Sequence, residues 1–375
     1  MAITAYTFDA QKASAYMDLC FALYHDDPNW IPPLHRRVMA QFSSEFSFYR
    51  HAGNEHCHFL ATEAGKPVGH ITTMVNARLT DDDGRPIGTL GFFECIEDSA
   101  IAADLLGHAT NWLRTRHDVR RVWAPIQFDI WHGYRFMIRG FEGPTFFGEP
   151  YNKPSYPAFF ADHGFTIRKR WYSVETTGRS TLQQVAAPHN DAHERSLANG
   201  YTFVPIDVRD PGSMRPLQSA IEGSYRNFLA LSSIDFEEFQ EIFAGYAEAL
   251  DPRFAIAARD PGGHLSGFAI AYPDYGQALR AMRGRDSIVA KIRFYLNSRR
   301  MSRAVFFMIG ITPQEAQRRH GLGRALFYRC LTAMIDAGYE SVVFALIAED
   351  SPAWPLVGRP KSEAQKEYAF FEATF

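Results

Sequence analysis

The chain has 375 residues, more than one hydrophobic core usually serves, with 46% hydrophobic and 22% charged residues, which excludes a disordered or fibrous chain. A formal net charge of −3 gives no global reason to expect DNA or an anionic membrane as a partner. Cys20, Cys57, Cys95 and Cys330 form no C-x-x-C pair, residues 1–10 lack a basic segment followed by an apolar run, and no stretch approaches about 18 apolar residues, so the expectation is a cytoplasmic protein with reduced thiols and no disulfide framework.

In chain order, residues 58–62 and 68–75 around Glu63-Ala64-Gly65-Lys66-Pro67 predict a hairpin, and residues 89–96 a third strand. Ile101, Leu105, Leu106, Ala109, Trp112 and Leu113 keep helical spacing behind the capping candidates Asp98 and Ser99, and residues 121–124 follow as a short strand. The polar stretch 177–199, with Pro188, marks the expected domain boundary. Beyond it, residues 254–258 and 266–271 flank the turn Asp260-Pro261-Gly262-Gly263, with Gly267 in the part of Gly69. Residues 303–311 predict the next strand. Leu326, Phe327, Cys330, Leu331 and Met334 define a helix closed by Gly338, and residues 341–347 a last strand. Hairpin, strand, helix, strand thus occurs twice, which points to duplication of a whole α/β unit. The expected domains are 1–178 and 201–375, joined by a linker at 179–200.

The junction between the strand ending at Ile311 and the following helix reads Arg318-Arg319-His320-Gly321-Leu322-Gly323-Arg324. Glycines there let the backbone close around a ligand, and amides at a helix N-terminus suit a pyrophosphate. The competing reading is a glycine-containing turn that merely starts a helix. The dinucleotide pattern G-x-G-x-x-G fails at Leu326, and no G-K-[ST] follows.

These residues resemble the acyl-CoA loop of the GNAT acetyltransferase superfamily, [QR]-x-x-G-x-[GA], with Arg318, Gly321 and Gly323 on its defined positions. The preceding Ile309-Gly310-Ile311 is similar to the family's strand that pairs with the pantetheine arm. The resemblance covers roughly residues 201–350. It implies two tandem GNAT folds of α/β (α+β) class, each a mixed, mostly antiparallel sheet flanked by helices. It also implies a donor held by Ile309, Gly310, Ile311 and residues Arg318, Arg319, His320, Gly321, Leu322, Gly323 and Arg324. The donor would be acyl-CoA or the phosphopantetheine of an acyl carrier protein. Pro313 and Arg318 stand further apart than is common in the family, and residues 348–354 lack its Asn and Tyr.

The first half has Glu94-Cys95-Ile96-Glu97-Asp98 where the phosphate loop would fall, and carboxylates there would repel a pyrophosphate, so this half is expected to bind no CoA. Residues 147–165 are similar to tandem GNAT-like bacterial proteins. The loop 127–135 and the segment near residue 150 collect Trp131, His132, Tyr134, Arg135, Tyr151 and Asn152, candidates for binding a small-molecule amine acceptor; alternatively these side chains only bury an irregular loop. Direct attack of a neutral amine on the thioester needs a base, for which Glu222, His132 and Glu149 are candidates. His56, Cys57 and His58 alternate across a strand and cannot all reach one ion, so no metal is expected. From Arg280 to Arg303 eight basic residues face one acid, Asp286, a candidate docking face for an acyl carrier protein or a plain solvated helix with Ile288, Ile292 and Leu296 on its buried side. Two other functions fit the same text: a non-catalytic binder of acyl-CoA or carrier protein, and an aminoacyl-tRNA-dependent transferase.

Overall fold

The computed structural model describes the chain except residues 118, 247–249, 300 and 319, and except the side chains at 117, 245 and 246. Two compact units emerge: Met1–Arg170 with Gly276–Leu296 and Glu367–Phe375, and Trp171–Tyr275 with Asn297–Lys366.

The chain opens with β1 (Ala2–Tyr6), α1 (Ala10–Leu23), α2 (His35–Gln41) and α3 (Ser47–Arg50). Then come β2 (Glu55–Glu63), β3 (Lys66–Thr80), β4 (Pro86–Cys95), α4 (Ser99–His117) and β5 (Arg121–Ala124). Short strands β6 (Ile126–Gln127), β7 (Gly133–Tyr134) and β8 (Phe136–Arg139) precede α5 (Tyr156–Asp162) and β9 (Thr166–Thr177). Helices α6 (Arg179–Ala186) and α7 (Asn190–Ala198) follow, then β10 (Thr202–Pro205), α8 (Pro211–Tyr225), α9 (Phe236–Tyr246), β11 (Ala255–Arg259) and β12 (Leu265–Pro273). After α10 (Gly276–Met282) and α11 (Ile288–Ser298) come β13 (Arg303–Ile311), α12 (Pro313–Arg318) and α13 (Leu322–Asp336). The last elements are β14 (Ser341–Ala348), α14 (Trp354–Val357) and β15 (Lys366–Thr374).

The sheet of the first unit runs β1-β2-β3-β4-β5-β15 and that of the second β10-β11-β12-β13-β14-β9. Within each, neighbours are antiparallel except one parallel pair, β4–β5 and β13–β14. In sequence order, with the short strands β6, β7 and β8 set aside, β9 is the sixth strand of the first repeat and β15 of the second. By pairing they are exchanged: Trp171–Thr177 lies on β14, and Phe371–Thr374 on β5.

The repeat extends to single contacts. Gly69 faces Cys95 across β3 and β4, and Gly267 faces Ile311 across β12 and β13. A Cβ at Gly69 would stand 2.6 Å from Leu105 Cδ1, and one at Gly267 2.8 Å from Leu326 Cδ1. Both glycines therefore let a leucine of α4 or α13 lie directly on the sheet, which is how each unit closes its own core.

Four expectations change. Residues 179–200 are not a linker, because α6 and α7 bury Leu182, Ala186 and Ala192, the first two in one core cluster with Leu322, Leu326 and Phe327 of α13. Gly276–Leu296 belongs to the first unit although its sequence lies in the second half, and the boundary falls at 170/171 rather than 178. Arg303 does not share an exposed basic face: it is 19% exposed and pairs with Glu175 at 2.9 Å and Asp274 at 3.1 Å. Ile288, Ile292 and Leu296 are exposed rather than buried. All four cysteines are free and buried, and no helix is long and apolar enough to cross a membrane among the described residues.

Candidate functional site

In the second unit the parallel register of β13 and β14 covers Arg303–Phe306 against Ser341–Phe344 and goes no further. A bulge between Ile270 and Ala271 of β12 gives β13 one extra residue at Phe307, after which Met308–Ile311 stays paired with β12 alone. The two parallel strands thus splay, and the edge of β13 that carries Ile309 and Ile311 turns toward the gap. Side-chain hydroxyls of α8 reach this edge: Tyr225 Oη donates to the Ile309 carbonyl at 2.7 Å and Ser224 Oγ to that of Ile311 at 2.8 Å. Burial pushes the Tyr225 phenol up to about 12, so it holds its proton at neutral pH.

Past Ile311 the chain makes α12 and then α13, whose N-cap is Gly321 with φ 80° and ψ 23°. That left-handed conformation favours glycine, and it aims the first amides of a 15-residue helix away from its body. A Cβ on Gly323 would meet open space, so nothing of the chain crowds the outside of that turn. The extra spacing between Pro313 and Arg318 is α12 itself. Arg318 ends it and is tied down: its guanidinium lies 3.4 Å from buried Glu315 and 3.3 Å from Tyr201 Oη, which in turn donates to Glu315 at 2.8 Å. Arg324 donates to His189 Nδ1 at 3.2 Å and to the Pro188 carbonyl, anchoring the first turn of α13. His320 is exposed and Leu322 buried. Arg319 lies outside the described residues. Backbone amides and shape, more than a free arginine, are what this junction offers an anion.

Glu222 also sits on α8, one turn before Tyr225, where its carboxylate accepts from Gln218 Nε2 at 3.3 Å and Ser233 Oγ at 3.1 Å.

The other sequence candidates belong to the first unit and hold its loops. Asp129, buried, accepts from Trp131 N at 2.9 Å and bonds His132 Nδ1 at 2.8 Å. Glu149 accepts from Phe146 N at 2.9 Å and from the Tyr368 hydroxyl. Asn152 bridges both backbone groups of Met137, at 2.7 and 3.2 Å. Tyr151 donates to Asp27 at 2.7 Å. Arg135, buried at φ 81°, stacks 3.8 Å from the Tyr134 ring, which like Trp131 is half-buried.

Two buried clusters were not read as such from the sequence, although it had singled out Glu94 and His58. Glu94 stands where the second unit has Gly310, opposite His70 as Gly310 is opposite Phe268. One of its oxygens accepts from Tyr156 at 2.7 Å and Tyr24 at 3.1 Å, and burial pushes its carboxyl up to about 7 against the pull of those bonds and of Lys153. Near neutral pH it is therefore only in part the negative charge first expected of it. Nearby, His70 Nδ1 donates to the Phe92 carbonyl at 2.8 Å while Nε2 accepts from Tyr6 at 3.0 Å, and His58 bonds Thr72 at 2.7 Å.

No protein-family model matches the chain. It is 29% identical to Protein YghO of Escherichia coli (strain K12) over 154 residues, which span 40% of this chain and 38% of that protein, well under half of the curated relative. Among solved structures, a GCN5-related N-acetyltransferase from Sphaerobacter thermophilus is similar over 99% of this chain and 95% of that one, with 13% identity and a TM-score of 0.53. A tandem GNAT protein from the clavulanic acid biosynthesis pathway is similar over 100% and 98%, with 14% identity and a TM-score of 0.56. At such identities the likeness is one of architecture, and it runs the length of the chain: this protein has the tandem GNAT fold.

Proposed function

We propose that the protein is an N-acyltransferase that moves an acyl group from an acyl-pantetheine thioester to the amine of a small molecule. The observation that carries this reading is the junction in the second unit, where splayed β13 leads to a helix started by left-handed Gly321. Its first amides suit the donor's pyrophosphate, and the stretch of β13 at Ile309 and Ile311, beyond its pairing with β14, suits the pantetheine arm. The tandem GNAT fold supports the same assignment.

In the step we propose, the amine nitrogen attacks the thioester carbonyl carbon, the C–S bond breaks, and the sulfur leaves as thiolate. The ammonium proton passes to a base, for which Glu222 is the candidate in the second unit, directly or through water. We assign Tyr225 the part of the missing family tyrosine: its hydroxyl, at the Ile309 carbonyl, gives its proton to the thiolate and regains one from the protonated base, directly or through water. Tyr225→Phe should lower kcat about tenfold or more while leaving donor Kd unchanged, since general acid catalysis acts on the reacting atoms. His132 and Glu149 serve the first unit's loop architecture and are not assigned a part in the transfer step.

Calorimetric titration with acetyl-CoA and a longer acyl-CoA tests the site. Gly321→Glu with Arg318→Glu should abolish binding, by filling the junction and reversing its charge. Equal binding by both proteins would refute the assignment. Binding without turnover of any amine would leave a non-catalytic binder, and no binding by the native protein would shift the donor to a carrier protein.

A further inference from the structure

Helix α11 concentrates the apolar surface of the molecule. Of the ten large hydrophobic residues exposed among the described residues, five lie on it: Ile288 at 79%, Val289 at 58%, Ile292 at 54%, Tyr295 at 54% and Leu296 at 58%. At 3.6 residues per turn they share one arc of roughly 120°, while Ala290, Phe294 and Asn297 turn the opposite way, Ala290 being buried. Lys291 and Arg293 flank the arc, one on each edge. Across residues 283–299 the basic residues are Arg283, Arg285, Lys291, Arg293 and Arg299 against the single acid Asp286, which pairs with Lys291 at 3.3 Å.

An apolar stripe left in water is unfavourable unless something covers it, and single exposed apolar residues are ordinary whereas a contiguous set marks an interaction surface. A second copy in a two-fold contact would bring two clusters of like charge together, which disfavours self-association. An acidic surface answers the cations. What answers cations and five large apolar side chains together, with the cations on both edges of the stripe, is the headgroup region of a bilayer. There the apolar face enters the acyl boundary and the long basic stems reach back to lipid phosphates. At roughly 16 Å the helix is far too short to span the hydrocarbon core and suited to lie in its plane.

We propose that α11 docks the protein on the surface of an anionic phospholipid membrane. The net charge of −3 concealed this because the basic residues are local to one segment. This inference stands apart from the acyl-transfer reading and rests on none of its residues.

The intact protein, cosedimented with phosphatidylglycerol-containing vesicles and with pure phosphatidylcholine vesicles, tests it. The native chain should bind the anionic vesicles and bind neutral ones about tenfold more weakly, because each basic group near a charged surface adds to the affinity. Ile292→Glu with Leu296→Glu should reduce anionic-vesicle binding about tenfold or more, as should Lys291→Glu with Arg293→Glu. These side chains are exposed, so circular dichroism and Tm should match the native chain. Absence of native binding to anionic vesicles would overturn the proposal, as would unchanged binding by both variants. A native dimer in sedimentation velocity that Ile292→Glu with Leu296→Glu converts to monomer, without vesicle binding, would assign the face to a second copy, and complex formation with an acidic carrier protein instead of vesicles would assign it to that partner.

Discussion

The two units solve one packing problem and then diverge within a few residues of its solution. Each lays a helix on its sheet through a glycine, Gly69 under Leu105 and Gly267 under Leu326, and each lets its parallel strands separate beyond a bulge. At the next register position the first unit places Glu94 among tyrosines, with Tyr156 Oη also accepting from Cys95 N at 2.9 Å, and starts α4 behind a capping Asp98. The second places Gly310 there and starts α13 behind Gly321. A helix N-terminus already satisfied by a carboxylate has little left for an anion, whereas one started by a bare glycine keeps its amides available. The difference teaches that duplication preserves the frame, and that a few substitutions at its strand-to-helix corner decide which helix N-terminus keeps its amides open.

Acid should separate the copies most strongly. Burial holds His56 and His70 at about 4 and His58 well below its ordinary value. Above the ordinary histidine value of 6.5 the rings are neutral in both the folded and unfolded chain; below it the unfolded chain takes up protons that the folded unit refuses down to about 4. Stability of the first unit should therefore fall as pH falls through that window, by on the order of 3 kcal/mol for each of His56 and His70, partly offset by Glu94, whose raised carboxyl takes up its proton at higher pH in the folded unit than in the unfolded chain. The second unit has Phe268 at the position of His70 and should lag. Denaturation of the two units followed separately by hydrogen exchange from pH 7 to 4 checks this, and parallel loss would break the comparison.

A smaller effect sharpens it. Gly267→Ala would push a Cβ against the Gly310 carbonyl at 2.9 Å as well as Leu326, while at Gly69 the closest atoms are all side-chain. Denaturant titrations should show a loss of about 2 kcal/mol for Gly267→Ala and about 1 kcal/mol for Gly69→Ala, since backbone yields less readily than a leucine methyl. Equal costs would mean that the two corners are packed alike.

The smallest effect concerns the cap. Asp98 accepts from Ala100 N at 2.9 Å and Ile101 N at 3.2 Å. Asp98→Ala should cost about 1 kcal/mol of stability, measured by urea unfolding, and should leave acyl-CoA affinity unchanged. A gain of affinity would show the first unit to be a donor site blocked only by its cap.

Much was legible in the sequence because it is local. Alternation at residues 58–75 and 254–271, the stripe from Leu326 to Met334, and the glycines of the junction report strand, helix and turn directly, and their recurrence revealed the duplication. Local pattern misled where burial was needed to read it. The 3.6-residue spacing of Ile288, Ile292 and Leu296 says that they share a face, not that the face is covered, and the polar text of residues 179–199 concealed helices that bury only Leu182, Ala186, His189, Ala192 and Ser196.

What the amino-acid order determined by itself was the repeated unit, its elements and the glycine-bearing corner of the second copy, because propensity, periodicity and turn chemistry act over a few residues. Only the tertiary structure decided that β9 and β15 exchange places, that Glu94 meets Tyr24 and Tyr156, that Arg318 meets Tyr201, and that α11 shows its apolar face to solvent. Those outcomes depend on which distant segments share a surface, and hydrogen bonding and burial between positions 62 to more than 200 residues apart leave no trace in local spacing.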